Sequence, residues 1–348
     1  MTPVAVRILH VEPVEPGPLG GLLTDGRRTL AERHAAVFRR EGCEDVQIRR
    51  GRPDDTSFGA RLREMLPAKG GLVVLGSGAV LLARPVDLRG FVAAASEPGR
   101  VALANNRYSA DIVGISDVTA LRALPDLPSD NALPRWLAEV GGFAVSDVAT
   151  LSRLQVDLDS PLDLVVLEGR RDGLLAAARE RLDEVTAVAA NRRAELLIAG
   201  RTSTATLRWA ERRLPARTRV LIEERGLRAS NELALANPGR QRPPRSLLGH
   251  LLDGDGPGAL GAVVADVADA AVIDTRVLLA HRLGPDERSW PSAEDRFASD
   301  LLLPDRIADR WLRALTDAAQ DSPVPIALSG HTLVGPGLRY ALRHGRRG

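Results

Sequence analysis

The sequence predicts an α/β protein made of two successive domains. Its 348 residues, 44% hydrophobic and 26% charged, are enough to bury two cores. Short apolar runs alternate with longer amphipathic segments, the pattern of strands in a parallel sheet covered by helices. The pattern pauses at a charged, alanine-rich stretch at 169–190 and then restarts. We therefore expect one domain at 1–170 and a second, with no close repeat of the first, at 171–348.

The first half contains five short apolar runs that suit strands. The run at 71–75 is continuous, as expected for a strand buried on both faces. Segments with apolar residues at helical spacing separate most of these runs. We predict strands at 4–9, 46–49, 71–75, 101–104 and 112–115, and helices at 29–41, 57–66 and 88–95.

The second half repeats the alternation, beginning with a long helix at 169–190. A polar, proline-bearing stretch at 229–244 predicts an exposed loop. We predict strands at 194–199, 219–222, 270–273 and 324–328, and helices at 203–214, 246–252, 293–302 and 306–319.

Composition narrows the possible partners. The formal charge is +2, and Lys69 is the one lysine among 47 basic residues, the other 46 being arginine. Positive and negative charges are interleaved, and aromatic residues make up 3%, so we expect no nucleic-acid partner. Cys43 is alone, which excludes an internal disulfide. No run reaches the roughly 18 apolar residues of a membrane span, so we expect a cytoplasmic protein without a membrane partner.

The segment at 156–164 carries the most distinctive motif. If 156–159 is a strand, Asp157 and Asp159 lie on the same face and could present two carboxylates to Mg²⁺. Ser160, Pro161 and Asp163 have the pattern of a helix start, with an N-cap, a first-turn proline and a first-turn acid. Capping alone is the alternative interpretation.

This motif and its surroundings resemble a known superfamily. The order of strand 71–75, the helix at Pro85-Val86-Asp87-Leu88 and strand 101–104, followed by Asp157-Leu158-Asp159-Ser160-Pro161-Leu162-Asp163-Leu164, resembles the GT-A-like nucleotidyltransferases. That group includes the molybdenum-cofactor and phospholactate guanylyltransferases. The resemblance covers roughly residues 20–170. It implies a GT-A-like (Rossmann-like) three-layer sandwich, followed here by a second Rossmann-like domain, with nucleotide as ligand and Mg²⁺ on Asp157 and Asp159.

Two departures from the superfamily pattern bear on activity. The glycine-rich, phosphate-cradling loop would correspond to 17–28, where Arg27 or Arg28 could replace its basic residue. After the central strand, where the superfamily places a metal-binding aspartate, this chain has Gly76-Ser77-Gly78. Either the chemistry has moved or the domain has lost it.

Polar residues that follow strand 101–104 form a candidate substrate contact. Asn105, Asn106 and Arg107 would face the crevice at the carboxyl end of an open α/β sheet and could bind a base, sugar or phosphate. An asparagine-rich surface turn is the alternative.

A second candidate site comes from the strands of the second half, which all end in chemically capable residues. His331 is the candidate acid or base, and Asp274 or Glu223 could orient it. The other strand-end residues would bind an anionic ligand: Arg201, Ser203, Arg225 and Arg276. Helix caps and a structural histidine are the alternative interpretation.

Three functions follow as hypotheses. The leading one is a protein of nucleotidyltransferase ancestry that binds a nucleotide or a phosphorylated metabolite, with Mg²⁺-dependent nucleotidyl transfer if it is active. The second is a non-catalytic first domain that binds a partner or effector. The third is acid–base chemistry on an anionic metabolite at the C-terminal cluster.

Overall fold

The computed structural model describes residues 2–54, 56–224 and 244–342. The chain divides into two compact units, and the division falls between Leu158 and Asp159, earlier than the boundary predicted after residue 170. The described part of the first unit comprises 2–16, 24–54 and 56–158, and that of the second comprises 17–23, 159–224 and 244–342. Arg225 and most of the predicted loop at 229–244 lie outside the described residues. No helix within the described ranges is both long and apolar enough to cross a membrane.

The first unit contains a six-stranded mixed sheet in the order β2-β1-β3-β5-β4-β6. The prediction of an all-parallel sheet is wrong for β5, which runs antiparallel to β3 and β4. Only residues 105–111 connect β4 to β5, too few for the crossover that parallel neighbours require. The strands are β1 (Val4–Val11), β2 (Val46–Gly51), β3 (Gly71–Gly76), β4 (Val101–Ala104), β5 (Ile112–Ile115) and β6 (Ala144–Asp147).

Both faces of this sheet are buried, which explains the continuous apolar run of β3. Leu72 and Val74 pack into one hydrophobic cluster, whereas Val73 and Leu75 pack into another that contains Phe38. Successive side chains of a strand point to opposite faces, so each face has its own core. Helices associated with this unit are Pro18–Arg40, Phe58–Glu64, Pro85–Ser96 and Leu133–Glu139, of which the first begins among residues of the second unit.

The expected glycine-rich loop at 17–28 is instead the start of the helix Pro18–Arg40. Pro18 occupies the first helical position, where its fixed φ is favourable and no N–H is needed. The Glu294 carboxylate accepts hydrogen bonds from the backbone N–H groups of Leu19 (2.7 Å) and Gly20 (3.0 Å). These bonds satisfy two of the free donors at the helix start. The backbone at 18–28 is therefore helical rather than a phosphate-cradling loop.

The expected strand at 156–159 is also absent, since these residues belong to neither sheet. Their backbone instead bonds to the loop after β3. Leu158 N–H donates to Gly78 O at 2.8 Å, and Leu81 N–H donates to Val156 O at 3.2 Å. The strand face that would have aligned Asp157 with Asp159 does not exist.

The second unit contains a four-stranded parallel sheet in the order β10-β9-β7-β8. Its strands are β7 (Glu195–Gly200), β8 (Arg217–Ile222), β9 (Ala270–Asp274) and β10 (Ile326–Ser329). In register, Ala199 and Leu328 both lie beside Ile273, so the carboxyl ends of three adjacent strands reach the same edge. The helices are Pro161–Glu168, Ala176–Ala189, Thr204–Arg213, Leu247–Asp255, Leu260–Val267, Thr275–Leu283, Ala293–Asp300, Arg310–Gln320, His331–Val334 and Leu338–Ala341.

Candidate functional site

The carboxyl edge of the second sheet is organised around Asp274, the last residue of β9. Its buried carboxylate accepts hydrogen bonds from Arg201 Nε at 2.5 Å and Nη2 at 3.1 Å. It also accepts the backbone N–H of Arg276 at 3.1 Å, which makes it the N-cap of the helix Thr275–Leu283. Burial alone would raise the pKa of Asp274, but the Arg201 guanidinium holds that pKa below its ordinary value. Asp274 is therefore a fixed anion that positions Arg201.

Arg276 is not available to a ligand in the way that the sequence suggests. Its guanidinium lies in the interior, with both terminal nitrogens on the Asp300 carboxylate, the Nη2 contact being 2.7 Å. Nη1 also donates to Thr275 Oγ1 at 2.9 Å. A bidentate pair of this kind neutralises the arginine. The expectation that Arg276 binds an anion is therefore not supported by its contacts.

His331 lies at the same edge and has a defined orientation. Its Nδ1 is 2.7 Å from the backbone carbonyl oxygen of Arg201. A carbonyl can only accept, so Nδ1 carries the proton, and the neutral ring has its lone pair on Nε2. The residue is exposed. His331, Arg201 and Asp274 are thus brought together, and an imidazole acceptor is presented beside an ion pair.

The remaining residues predicted for this edge have other roles. The Glu223 carboxylate accepts Ser246 Oγ–H at 2.7 Å and Leu247 N–H at 2.6 Å, which caps the helix Leu247–Asp255. Ser203 is the N-cap of Thr204–Arg213 and accepts Thr206 N–H at 3.3 Å. Glu223 does not orient His331, and Ser203 follows the capping alternative.

Residues 159–163 of the motif form a helix start in the second unit. Ser160 and Asp163 form a capping box, and one carboxylate oxygen of Asp163 accepts the backbone N–H groups of Asp159 and Ser160, both at 2.8 Å. Burial, and then the negative charge of Asp159, raise the pKa of Asp163 to about 7. This is the capping interpretation that the sequence left open.

The two predicted magnesium ligands have different surroundings. Asp157 groups with the first unit, where its carboxylate accepts Val80 N–H at 2.8 Å and supports the loop after β3. Asp159 groups with the second unit and is exposed. Since their shared strand face is absent, the argument for a joint Mg²⁺ site is lost, and no metal-dependent step follows from it.

Asn105 has a structural role. It is fully buried, and its amide nitrogen donates to Asp111 Oδ2 (2.7 Å) and Leu154 O (2.9 Å). Its amide oxygen accepts the N–H groups of Asp111 and Ile112. With both donors and both acceptor sites engaged, Asn105 cannot also contact substrate.

The two neighbours of Asn105 lie nearer the surface. Asn106 Nδ2 donates to Gln155 Oε1 at 3.2 Å, and Asn106 Oδ1 accepts Tyr108 N–H at 2.9 Å. Arg107 is half-buried and makes no ion pair with any residue in the described ranges. Of the three predicted contacts, Arg107 keeps its charge available.

A histidine–aspartate cluster was not predicted. His250, Asp253 and His281 bring one potential metal ligand atom each within 4.8 Å of one another. However, His281 Nδ1 accepts Ser246 N–H at 2.9 Å, so the proton of the neutral ring is on Nε2, where it faces Asp253 Oδ2 at 2.9 Å. A metal ion would require that nitrogen unprotonated. The cluster is set up as a hydrogen-bonded pair rather than as a metal site.

A cleft of about 600 Å³ lies at the carboxyl ends of β1, β2 and β3 in the first unit. The strands contribute Leu9 to Val11, Arg49 to Gly51 and Gly76 to its wall. Arg49 and Arg50 are exposed, and neither is in an ion pair with any described residue, whereas Arg61, also in the wall, is paired with Asp54. The cleft thus offers two uncompensated guanidinium groups.

The side chain of His10 lines the cleft and links β1 to the residue that follows β3. Its Nδ1 is 2.9 Å from Ser77 Oγ, and its Nε2 is 3.1 Å from Glu12 Oε1. Burial lowers the pKa of His10, and Arg50 and Arg27 act in the same direction, while Glu12 opposes them. Sequence reasoning missed His10, Arg49 and Arg50, although each lies at a strand end, the criterion that it applied to the second half.

The chain matches no protein-family model, and no curated protein is significantly similar to it. The resemblance to nucleotidyltransferases therefore depends on the quoted motifs alone. The described residues form an α/β fold with one mixed and one parallel sheet.

Proposed function

We propose that the first unit binds a phosphorylated small molecule, with a nucleotide as the leading class, in the cleft at the ends of β1, β2 and β3. The observation that carries this proposal is the position of the cleft. Open α/β sheets bind ligands at the carboxyl ends of their parallel strands, and a cleft of about 600 Å³ is within the usual size of small-molecule sites.

The charge of the cleft supports an anionic ligand. The guanidinium groups of Arg49 and Arg50 can each give two parallel hydrogen bonds to phosphate oxygens. The cleft wall also contains the acids Glu64 and Asp130, which could accept hydrogen bonds from hydroxyl or amino groups. A ligand that carries both phosphate and such donors fits better than inorganic phosphate, and nucleotides are one such class.

Nucleotidyl transfer with Mg²⁺ is the activity implied by the resemblance. Gly78, in the loop after β3, supports close packing there: a Cβ at this position would lie 2.7 Å from Leu158 O and 3.0 Å from Arg27 Nε. The motif segment therefore packs on the loop where the superfamily keeps its metal-binding aspartate.

The test is a calorimetric titration of the whole protein with ATP, GTP, CTP and phosphate, each with and without Mg²⁺. The double variant Arg49→Gln/Arg50→Gln should lose at least tenfold in nucleotide affinity, about 1.4 kcal/mol. Arg192→Gln/Arg193→Gln, which alters two adjacent exposed arginines of the second unit, should bind like the parent. Equal affinity of both double variants would refute the proposal.

Acid–base chemistry at the edge of the second sheet is the second candidate. The observation in its favour is the bond from His331 Nδ1 to Arg201 O, which leaves Nε2 of the neutral ring as an acceptor. His331→Gln should abolish any turnover at this edge without lowering the melting temperature. Because Arg276 is paired with Asp300 and Arg201 with Asp274, the ligand would depend mainly on His331 for its contacts.

A further inference from the structure

We propose that Ser77, His10 and Glu12 form a nucleophile–base–acid relay beside the first unit's cleft, which His10 lines, and that this relay acts on a carboxylic ester. Serine Oγ, both imidazole nitrogens and one carboxylate oxygen follow one another at 2.9 Å and 3.1 Å. These separations are within the range of a nucleophile and base oriented by a third group. His10 and Gly76, the neighbour of Ser77, both line the cleft.

The order of protons in the relay follows from chemistry. The carboxylate of Glu12 can only accept, so the proton of the neutral imidazole is favoured on Nε2, facing Glu12. Nδ1 then has the lone pair and accepts the Ser77 hydroxyl proton. The nitrogens have exchanged places relative to the usual serine–histidine–aspartate triad, but the roles are the same. The Nε2 contact lacks good hydrogen-bond alignment, as is common in catalytic groups without substrate.

The surroundings of Ser77 also suit acyl chemistry. Gly78 follows Ser77 directly, and its backbone N–H donates to no atom within the described ranges. An N–H group after the nucleophile can stabilise the oxyanion that forms during acyl transfer. The sequence Gly76-Ser77-Gly78 occurs where β3 ends, so a small residue flanks the serine on each side.

The reaction is balanced without a further reagent. Ser77 Oγ attacks the acyl carbon, and its proton passes to His10 Nδ1. The C–O bond to the alcohol then breaks, and the alcohol leaves with that proton. Water attacks the acyl-serine in the same way, which returns the free serine and a carboxylic acid. Arg49 and Arg50 would bind a phosphate or carboxylate group of the ester. Only this part of the inference, the anionic group on the substrate, rests on the proposed function.

The test uses a fluorophosphonate probe on the full chain, with the labelled residue located by mass spectrometry. Ser77 should be labelled, Ser77→Ala should not be, and Ser109→Ala, which removes an exposed serine that does not line the cleft, should label like the parent. His10→Gln should slow labelling at least a hundredfold. Labelling at another residue, or no labelling of a protein that still binds nucleotide normally, would refute the relay and leave the Ser77–His10 bond as a structural tie.

The pH profile separates a catalytic from a structural role. The groups that face His10 are Glu12 just after β1, Arg50 on β2, Arg27 on the helix Pro18–Arg40 and Ser77 after β3. Labelling should rise as His10 loses its proton and level off below the ordinary histidine pKa, since burial lowers the pKa of His10. Glu12→Gln removes a charge that raises this pKa, so the rise should move to lower pH and the plateau fall at least tenfold. A profile and plateau unchanged in Glu12→Gln would exclude its part in the relay.

Discussion

Replacing Asp163 by Asn should remove a pH-dependent loss of stability. Asp163 is 2% exposed, and one of its oxygens accepts two backbone N–H groups at 2.8 Å. Burial, followed by the charge of Asp159, raises its pKa from 3.8 to about 7. An Asn side chain keeps an oxygen that can accept both bonds but does not ionise. The substitution therefore keeps the capping hydrogen bonds and removes only the effect of ionisation on stability.

The sign and size of the effect follow from proton linkage. A carboxyl whose pKa is higher in the folded state contributes stability below its unfolded pKa and loses that stability as pH rises through the folded pKa. Three pKa units at about 1.4 kcal/mol each give roughly 4 kcal/mol in all. Roughly 2.5 kcal/mol of this change falls between pH 5 and 8. The free energy of unfolding of Asp163→Asn, relative to the parent, should rise by that amount over this interval.

Urea unfolding at pH 5, 6, 7 and 8 measures the difference, and Asp87→Asn is a matched control. Asp87 has the same third helical position after a proline, but Arg153 bonds to it at 2.8 Å and holds the pKa of Asp87 below its ordinary value. The Asp87 carboxyl is ionised in both the folded and the unfolded state between pH 5 and 8. The difference in the free energy of unfolding between Asp87→Asn and the parent should therefore be constant over this range. A constant difference for Asp163→Asn as well would refute the reasoning, because Asp163 would then titrate normally.

Three further outcomes are expected. Asn105→Ala should lower the free energy of unfolding by about 2–4 kcal/mol, since it leaves buried groups unpaired, while nucleotide affinity in calorimetry stays unchanged. Arg276→Met should cost about 3–5 kcal/mol in urea unfolding by leaving Asp300 buried without its partner, and adding Asp300→Leu should recover most of that loss. Zn²⁺ should not raise the melting temperature, because His281 carries its proton on Nε2, which ¹⁵N spectra should show. A zinc-induced rise in melting temperature that is lost in His281→Ala would contradict this tautomer assignment.

The strand-end argument predicted proximity at the second sheet but not what each residue does there. Parallel strands place their carboxyl ends at one edge, and Arg201, Asp274 and His331 do lie together. The sequence could not predict which acid each arginine at this edge pairs with. Asp300 lies at the end of the helix Ala293–Asp300 and not at a strand end, yet its buried carboxylate neutralises Arg276. Charge counts at a strand end therefore overestimate the free charge available to a ligand.

In the first unit, the same rule would have pointed to the cleft. His10, Arg50 and Gly76 lie at the ends of β1, β2 and β3. The candidates predicted from the sequence were instead Asp157 and Asp159, from a superfamily motif, and Asn105, from the end of strand 101–104. Two of these side chains bind backbone N–H groups instead of a ligand. The Asp157 carboxylate accepts Val80 N–H, and the Asn105 amide oxygen accepts Asp111 N–H. A polar residue can follow a strand in order to close a loop or to face a ligand, and sequence alone does not separate these. The separation requires knowing which of its donors and acceptors the backbone already uses. By that measure Arg49, Arg50 and Arg107 keep capacity for a ligand, and of these Arg49 and Arg50 line the cleft.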